Sequence, residues 1–287
     1  MSAELIFTMV KQIACALFSL ILPFLGIGRC ETGLKAPESA DTVRVMSFNV
    51  RCGEFDREEI VPQLIADYLP DSVGVQECDG TWYLSLKTYL SDSYGIVGVG
   101  RLSGVKLIGE ASAILYRKDK YKVVDSDTFW LSETPDKVSK GWDANHNRIC
   151  TWAILENKET GERYAHVNTH LDHIGPQARI NGLKLVLEKA QSFDMPTVVT
   201  GDFNFPKDDA LYSEFANAGF TDTQDVAADT MYGKTYHGYN GGEEGLPIDY
   251  VMVNNKITDV KTYKIIRDKA GDEYISDHYP IYSDMKF

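Results

Sequence analysis

Pro196-Thr197-Val198-Val199-Thr200-Gly201-Asp202-Phe203-Asn204 is an apolar run that ends in a carboxylate and an amide. A second stretch, Ser276-Asp277-His278-Tyr279, sets a carboxylate beside an imidazole near the C-terminus. Residues 196–200 read as a buried strand, and each acid then stands at the mouth of a strand. An acid beside a neutral amide, and an acid beside an imidazole, are what metal-assisted attack of water on phosphorus requires. One group activates the water while others hold the charge that builds on the phosphoryl oxygens. Neither motif decides alone. Asn49, Glu77 and His170, in that order upstream, make the constellation specific.

Outward from these motifs the chain alternates strands and helices. Residues 42–49 are rich in β-formers and read as the first core strand. Residues 57–69 carry Ile60, Leu64, Ile65 and Tyr68 near helical spacing and stop at Pro70. A short strand at 72–76 and a helix at 81–90 follow, then strands at 94–99, 111–116 and 121–129. Residues 148–156 and 163–168 form a hairpin around a turn at 157–161. A helix at 179–193 places Ile180, Leu183, Val186, Leu187 and Ala190 on one side. Residues 208–217 read as a helix capped by Asp208. Residues 238–245 hold four glycines among polar residues and read as a mobile loop. Strands at 248–253, 260–266 and 279–285 close the chain. Strand–helix–strand order in both halves argues for an α/β architecture with the helices outside. No linker divides residues 42–287, so they read as one domain.

Composition sets limits. Of 287 residues, 25% are charged and 44% apolar, as in an ordinary globular protein. Residues 1–30 stand apart. An apolar run at 13–25 with Lys11 before it, then Gly26-Ile27-Gly28, reads as a signal peptide, with residues 31–41 as a linker. The run is shorter than the ~20 residues that a membrane-spanning helix needs. The expected location is therefore secreted or periplasmic. A lipoprotein anchor at Cys30 is disfavoured by Arg29 before it. Loss of residues 1–30 removes two basic side chains and one acidic, taking the net charge from −13 to −14. No basic run exists, which disfavours long polyanions such as duplex DNA. A small phosphoester beside a cation is not excluded, because the ion supplies the positive charge. Among the five cysteines no CxxC spacing occurs, which speaks against structural zinc. Cys52 and Cys78 each sit just past a predicted strand end and could meet if those strands are neighbours. They read either as a disulfide in an oxidising compartment or as two separate small buried thiols.

The chemistry-bearing residues fall at strand borders, where loops converge on a pocket. Asn49 ends the first strand, Glu77 the second, and His170 the strand of the hairpin. Asp202 and Asn204 follow the strand after the helix. Asp249 opens Ile248-Asp249-Tyr250, and Asp277 and His278 precede the last strand. Each has an ordinary reading alone: a turn residue, a solvated strand end, a hydrogen-bonded histidine, a strand cap. Asp172 and His173 invite a metal cluster, but no third ligand stands at zinc spacing nearby.

In order, Ser-Phe-Asn, Gln-Glu, Asn-Thr-His, Gly-Asp-Phe-Asn, Ile-Asp-Tyr and Ser-Asp-His resemble the endonuclease/exonuclease/phosphatase (DNase I-like) superfamily. The resemblance covers residues 42–287. It implies a four-layer α/β/β/α sandwich of two mixed sheets flanked by helices, with the site at one edge. It also implies roles. Glu77 binds Mg²⁺ (or Mn²⁺), with Asn49 beside it. Asp202 orients or deprotonates the attacking water, and Asn204 and His170 hold phosphoryl oxygens. His278 stabilises the transition-state charge, Asp277 fixes its ring or approaches the metal, and Asp249 orients a catalytic neighbour. Where some nucleases of the group carry an acid two residues after the first Asn, this chain has Arg51, as in the deadenylase-like branch. Residues 129–152 are similar to secreted bacterial members of undefined substrate. There Arg148 is the expected phosphate clamp, Trp142 and His146 line the pocket, and Trp152 is a core aromatic. The glycine-rich loop is expected to border the pocket.

The reading is thus a secreted Mg²⁺-dependent phosphoesterase for a small phosphomonoester or phosphodiester. A nuclease on RNA or DNA is the main alternative, and a non-catalytic binding module of the same fold a second. A calcineurin-type phosphatase would need Asp-x-His after the first strand, and a serine hydrolase Gly-x-Ser-x-Gly. Both are missing.

Overall fold

The computed structural model describes residues 33–287, apart from residues 38, 40 and 55. The expected signal peptide and Cys30 lie outside the described residues. Among the described residues, no helix is long and apolar enough to cross a membrane. The described part of the expected linker lies on the domain: the Gly33 and Lys35 N–H groups donate to Ala66 O and Asp67 O.

In chain order the elements are β1 (Val43–Asn49), α1 (Ile60–Tyr68), β2 (Ser72–Cys78), α2 (Gly80–Leu90), β3 (Tyr94–Val97), β4 (Ala111–Arg117), β5 (Tyr121–Trp130), β6 (Ile149–Asn157), β7 (Arg163–His170), α3 (Pro176–Gln191), β8 (Thr197–Asp202), a 3₁₀ turn (Ala210–Tyr212), α4 (Ser213–Asn217), β9 (Phe220–Asp222), α5 (Thr223–Val226), β10 (Asp229–Thr230), β11 (Asp249–Asn254), β12 (Asp259–Ile265), β13 (Lys269–Ala270), β14 (Glu273–Tyr274) and β15 (Ile281–Lys286). One sheet runs β10-β12-β15-β1-β2-β4-β3, the other β5-β6-β7-β8-β11-β9. Each has a central parallel pair, β1 with β2 and β7 with β8, between antiparallel neighbours, and β10 joins β12 in parallel at the edge of the first sheet. This is the expected α/β fold of two mixed sheets.

Side-chain alternation builds the layers. Met46, Phe48, Val73 and Val75 pack with Val61, Leu64 and Ile65 of α1 and with Trp82 and Leu86 of α2. Val167 and Val199 pack with Leu183, Val186 and Leu187 of α3 and Phe215 of α4. Between the sheets lie Val45, Ile114, Ala153, Leu155, Val198 and Val251. The same inward-facing rows then turn polar towards one edge. Val45 is followed by Ser47 and Asn49, Gly74 by Gln76, His166 by Asn168 and His170, and Val198 by Thr200 and Asp202. All these polar residues are buried.

That polar layer is hydrogen-bonded across the sheets. Asn168 donates to Val75 O (3.1 Å) and Ala113 O (2.8 Å) in the opposite sheet. Its Oδ1 accepts from Gln76 Nε2 (2.7 Å) and Thr200 Oγ1 (3.1 Å). The His166 ring sits between Ser72 Oγ and Thr200 Oγ1, each at 2.8 Å. Gly74 is required here, since a Cβ on it would lie 2.1 Å from Thr200 Oγ1.

Local details depart from expectation. The helix at 208–217 is a 3₁₀ turn leading into α4, and its cap is Asp209, not Asp208. The Asp209 carboxylate is the one that accepts from Leu211 N (2.9 Å). β3 stops at Val97 because Gly98 turns to φ +115°. Cys52 and Cys78 are free thiols, so of the two readings the separate-thiol one holds.

Urea unfolding across pH tests the polar layer. Asn168→Ala should destabilise by about 2–4 kcal/mol through the partners it strands. Burial pushes the His166 imidazole down from 6.5 to about 3, so the unfolded chain takes up a proton that the fold refuses. Its contribution is complete above about 6.5 and is lost as pH falls towards 3, at up to about 1.4 kcal/mol per pH unit. His166→Gln should flatten that slope.

Candidate active site

The polar edge of the sandwich gathers the C-terminal ends of β1, β2, β7 and β8 with the N-terminal ends of β11 and β15. Register enforces this: His170 and Asp249 both pair with Asp202. Asn49 lies at the centre. Its Nδ2 donates to Glu77 Oε1 and to Asp202 Oδ2, each at 3.0 Å, joining the two sheets. The β2–β4 register shifts between Val75 and Cys78. Such a bulge re-aims a side chain. Glu77, at φ +57°, turns into the cleft rather than towards the helices. Arg51 (φ +60°) and Asn204 (φ +54°) share this left-handed backbone, which costs order 1–3 kcal/mol each and clusters at working sites.

Asp202 Oδ1 accepts from Asn204 N (3.0 Å). Its Oδ2 lies 3.4 Å from His170 Nε2 and 3.7 Å from His278 Nε2. Asn204 Nδ2 donates to Leu171 O (3.0 Å) and keeps a second amide hydrogen. His278 Nδ1 donates to Asp249 Oδ2 (2.9 Å), both ring nitrogens being donors when the imidazole is charged. Asp249 itself is held by Thr235 Oγ1, which accepts its N–H. Ser276 Oγ donates to Asn49 O (2.7 Å) and fixes the loop that carries His278.

Burial opposes charge on His278, but Asp249 and Asp202 outweigh it and push its pKa up to about 10, so the imidazole is a cation with two donors. Burial and the neighbouring Asp249 raise Asp202 far above the carboxylate range. Burial, with Arg148 and His278, keeps His170 neutral. Burial also opposes the charge on Glu77, yet the Cys52 N–H, the Asn49 amide and Arg51 hold its carboxyl below the ordinary value. One fixed anion, one raised base and one fixed acid are thus set apart by environment alone.

All the expected catalytic and metal residues, Asn49, Glu77, His170, Asp202, Asn204, Asp249, Asp277 and His278, meet at this edge. Asp249, not Asp277, fixes the His278 ring. The Asp277 carboxylate lies 3.7 Å from Arg51 Nε, whose guanidinium it shares with Glu77 (4.0 Å). Arg148 and His146 line the cleft of about 360 Å³. Trp142 does not line it, which corrects that expectation: at φ +47° its N–H donates to the Glu133 carboxylate. The aromatic at the rim is Tyr236, its ring 5.0 Å from that of His278. None of residues 238–245 lines the cleft; their flanks Tyr236 and Ile248 do. Arg101 and Glu110 also line it, and nothing in their sequence setting marks them. Trp152 packs on Phe193 as a core aromatic.

Among the described residues, two sets of side chains bring ligand atoms within 4.8 Å of one another: Cys52, Glu77 and Glu110, and Asp202, Asp249 and His278. The first fits a hard divalent cation through its carboxylates, with Glu77 held ionised. Burial and nearby carboxylates push the Cys52 thiol pKa far up. In the second, His278 Nδ1 is already paired with Asp249 Oδ2 at 2.9 Å.

A two-sheet sandwich with carboxylates, an amide and imidazoles gathered at one edge defines a class of hydrolases. The chain belongs to the endonuclease/exonuclease/phosphatase family, whose sequence model matches residues 46–278. Members of this superfamily are hydrolases acting on phosphoesters, typically with a divalent metal. A mannosyl-6-phosphatase from Bacteroides thetaiotaomicron is similar at 32% identity and TM-score 0.80, covering 85% of this chain and 100% of that one. A family protein from Bacteroides vulgatus is 35% identical, TM-score 0.79, covering 86% and 99%. The CCR4-Not 3'-5'-exoribonuclease subunit Ccr4 of Candida albicans is 24% identical over 244 residues, 66% of this chain but only 30% of Ccr4.

Asp249→Asn should lower the His278 pKa by about 1–3 pH units, read by NMR titration of the ring C–H of metal-free protein. An unmoved titration would refute the charge pairing.

Proposed function

We propose that this chain is an exported, Mg²⁺-dependent phosphoesterase that hydrolyses a small phosphomonoester or phosphodiester. The observation that carries the reading is the Asn49-bridged pair Glu77 and Asp202, with the Asp249-held His278 cation 3.7 Å from Asp202. In this reading Asp202, raised in pKa, takes the proton of the attacking water. His278 donates from Nε2 to the charge that develops on phosphorus-bound oxygens, while Asp249 holds its ring. Neutral His170 and the second amide hydrogen of Asn204 orient the phosphoryl oxygens. Glu77 would hold the divalent ion, with Asn49 and Asp277 beside it; when bound, the ion supplies Lewis-acid charge at the phosphoryl group.

Local charge supports a small anionic substrate despite the net −13. Arg51, Arg101, Arg148 and His278 face Glu77, Glu110, Asp202 and Asp277 in the cleft, and a divalent ion tips that balance positive. The likeness to a mannosyl-6-phosphatase supports a sugar phosphate as the first substrate to try. The likeness to Ccr4 supports the nuclease alternative.

The test compares a phosphomonoester, a phosphodiester, single-stranded RNA and duplex DNA with Mg²⁺, Mn²⁺ or EDTA. Turnover of a small ester that EDTA abolishes is expected. Asp202→Asn and His278→Ala should each cost ~10²–10⁴-fold in kcat with smaller changes in KM. Preference for RNA would transfer the assignment to the nuclease reading. Export is checked by N-terminal sequencing of protein from the native host, expected to begin near residue 31; a chain starting at Met1 would refute it.

A further inference from the structure

One end of the cleft is closed by two arginines held very differently. Arg101 lies in the loop between β3 and β4, and its backbone is fixed from three directions. Its N–H donates to Glu110 O (3.0 Å), and its carbonyl accepts from Trp130 Nε1 (2.8 Å) and Asn147 Nδ2 (3.3 Å). The adjoining Gly100 packs so tightly that a Cβ would stand 2.1 Å from Ile108 O. The Arg101 guanidinium, 11% exposed, reaches Glu110 Oε1 at 2.5 Å. Arg148, 5% exposed, sets Nε 3.4 Å from Asp172 Oδ2 and its terminal nitrogen 3.1 Å from His173 Nδ1. Asp172, however, already accepts from the N–H groups of Asn145, His146, Ile174 and Gly175. It answers Arg148 only at long range.

Between Glu77, Arg101, Glu110, Arg148 and His170 opens a recess of about 10 Å³. That is room for roughly one water molecule, hence for a phosphate oxygen and not for a carbon arm. It adjoins the carboxylate assigned to the metal and the histidine assigned to the phosphoryl group. Arg101 and Arg148 both line this recess, so two like charges face it together. A doubly negative group between the two guanidiniums relieves that repulsion better than a single charge.

We propose that Arg101, acting with Arg148, restricts the site to terminal phosphate monoesters by binding the non-bridging oxygens of a phosphate dianion and blocking the second ester arm of a diester. The inference rests on the phosphoesterase reading above and narrows its substrate class. Arg101 is a substrate-contacting residue in this scheme, and the loop between β3 and β4 is its mount.

The experiment uses p-nitrophenyl phosphate and methyl p-nitrophenyl phosphate, which share a leaving group and differ in one ester arm. Inorganic phosphate serves as inhibitor. Wild-type protein should prefer the monoester. Arg101→Gln should lose at least ~10-fold more kcat/KM on the monoester than on the diester, and its inhibition by phosphate should weaken by ~10-fold or more. Arg101→Lys keeps the charge without the fork and should fall between. It supplies the reading if the glutamine variant does not fold. Equal losses on both esters, or unchanged phosphate inhibition in folded variants, would overturn the proposal and leave the phosphoesterase reading standing. A wild-type protein that cleaves the diester alone would overturn it too. A wild type inert to both esters would remove the underlying reading as well.

Discussion

The Asn168 amide, bonded at once to two backbone carbonyls of the opposite sheet and to Gln76 and Thr200, is the joint on which this molecule turns. Two sheets packed through aliphatic side chains tolerate small sliding. Sheets joined by directional hydrogen bonds do not, because each displaced donor or acceptor is left buried without a partner. The joint also fixes register. A slip of one residue in β7 would send His166, Asn168 and His170 towards the helices and bring Val167 between the sheets. The rim of the cleft is the open end of the same network. Asn49 repeats at the edge what Asn168 does inside, bridging Glu77 of one sheet and Asp202 of the other. Precision at the site is thus inherited from the interior rather than imposed by the loops.

This polarity gradient explains what the sequence disclosed. Strands β1, β2, β7 and β8 were legible because their outward faces are aliphatic and their ends carry Asn49, Glu77, His170 and Asp202. The motifs at 201–204 and 276–279 were legible because each sets a carboxylate beside an amide or an imidazole at a strand border. The inward rows were not. Ser47, Gln76 and Thr200 look like ordinary polar members of a half-exposed strand, and only the second sheet shows that they are buried and bonded.

The remaining misses have separate causes. Arg101 and Glu110 flank an irregular segment with no periodicity, and their role arises from a fold-back across thirteen residues of loop between β3 and β4. Trp142 reads as a pocket aromatic by residue type, yet a left-handed turn anchored on Glu133 decides where it goes. Two- and three-residue strands such as β9, β10, β13 and β14 are too short to leave a pattern. The choice between Asp208 and Asp209 as a cap depends on a single backbone rotation that two adjacent aspartates do not encode.

An acidic chain can still present a site for an anion. Surface charges beyond a Debye length of ~8 Å are largely screened at physiological salt, so the carboxylates on the outer faces contribute little at the cleft. What a ligand meets is the local set, where Arg51, Arg101, Arg148 and His278 stand among Glu77, Glu110, Asp202 and Asp277 in partly buried walls. The acidic exterior acts instead against long polyanions, which must run along it to reach the site. A short phosphoester makes no such contact. On the phosphoesterase reading proposed above, the same residues that keep the net charge negative would favour a small substrate over a polymer.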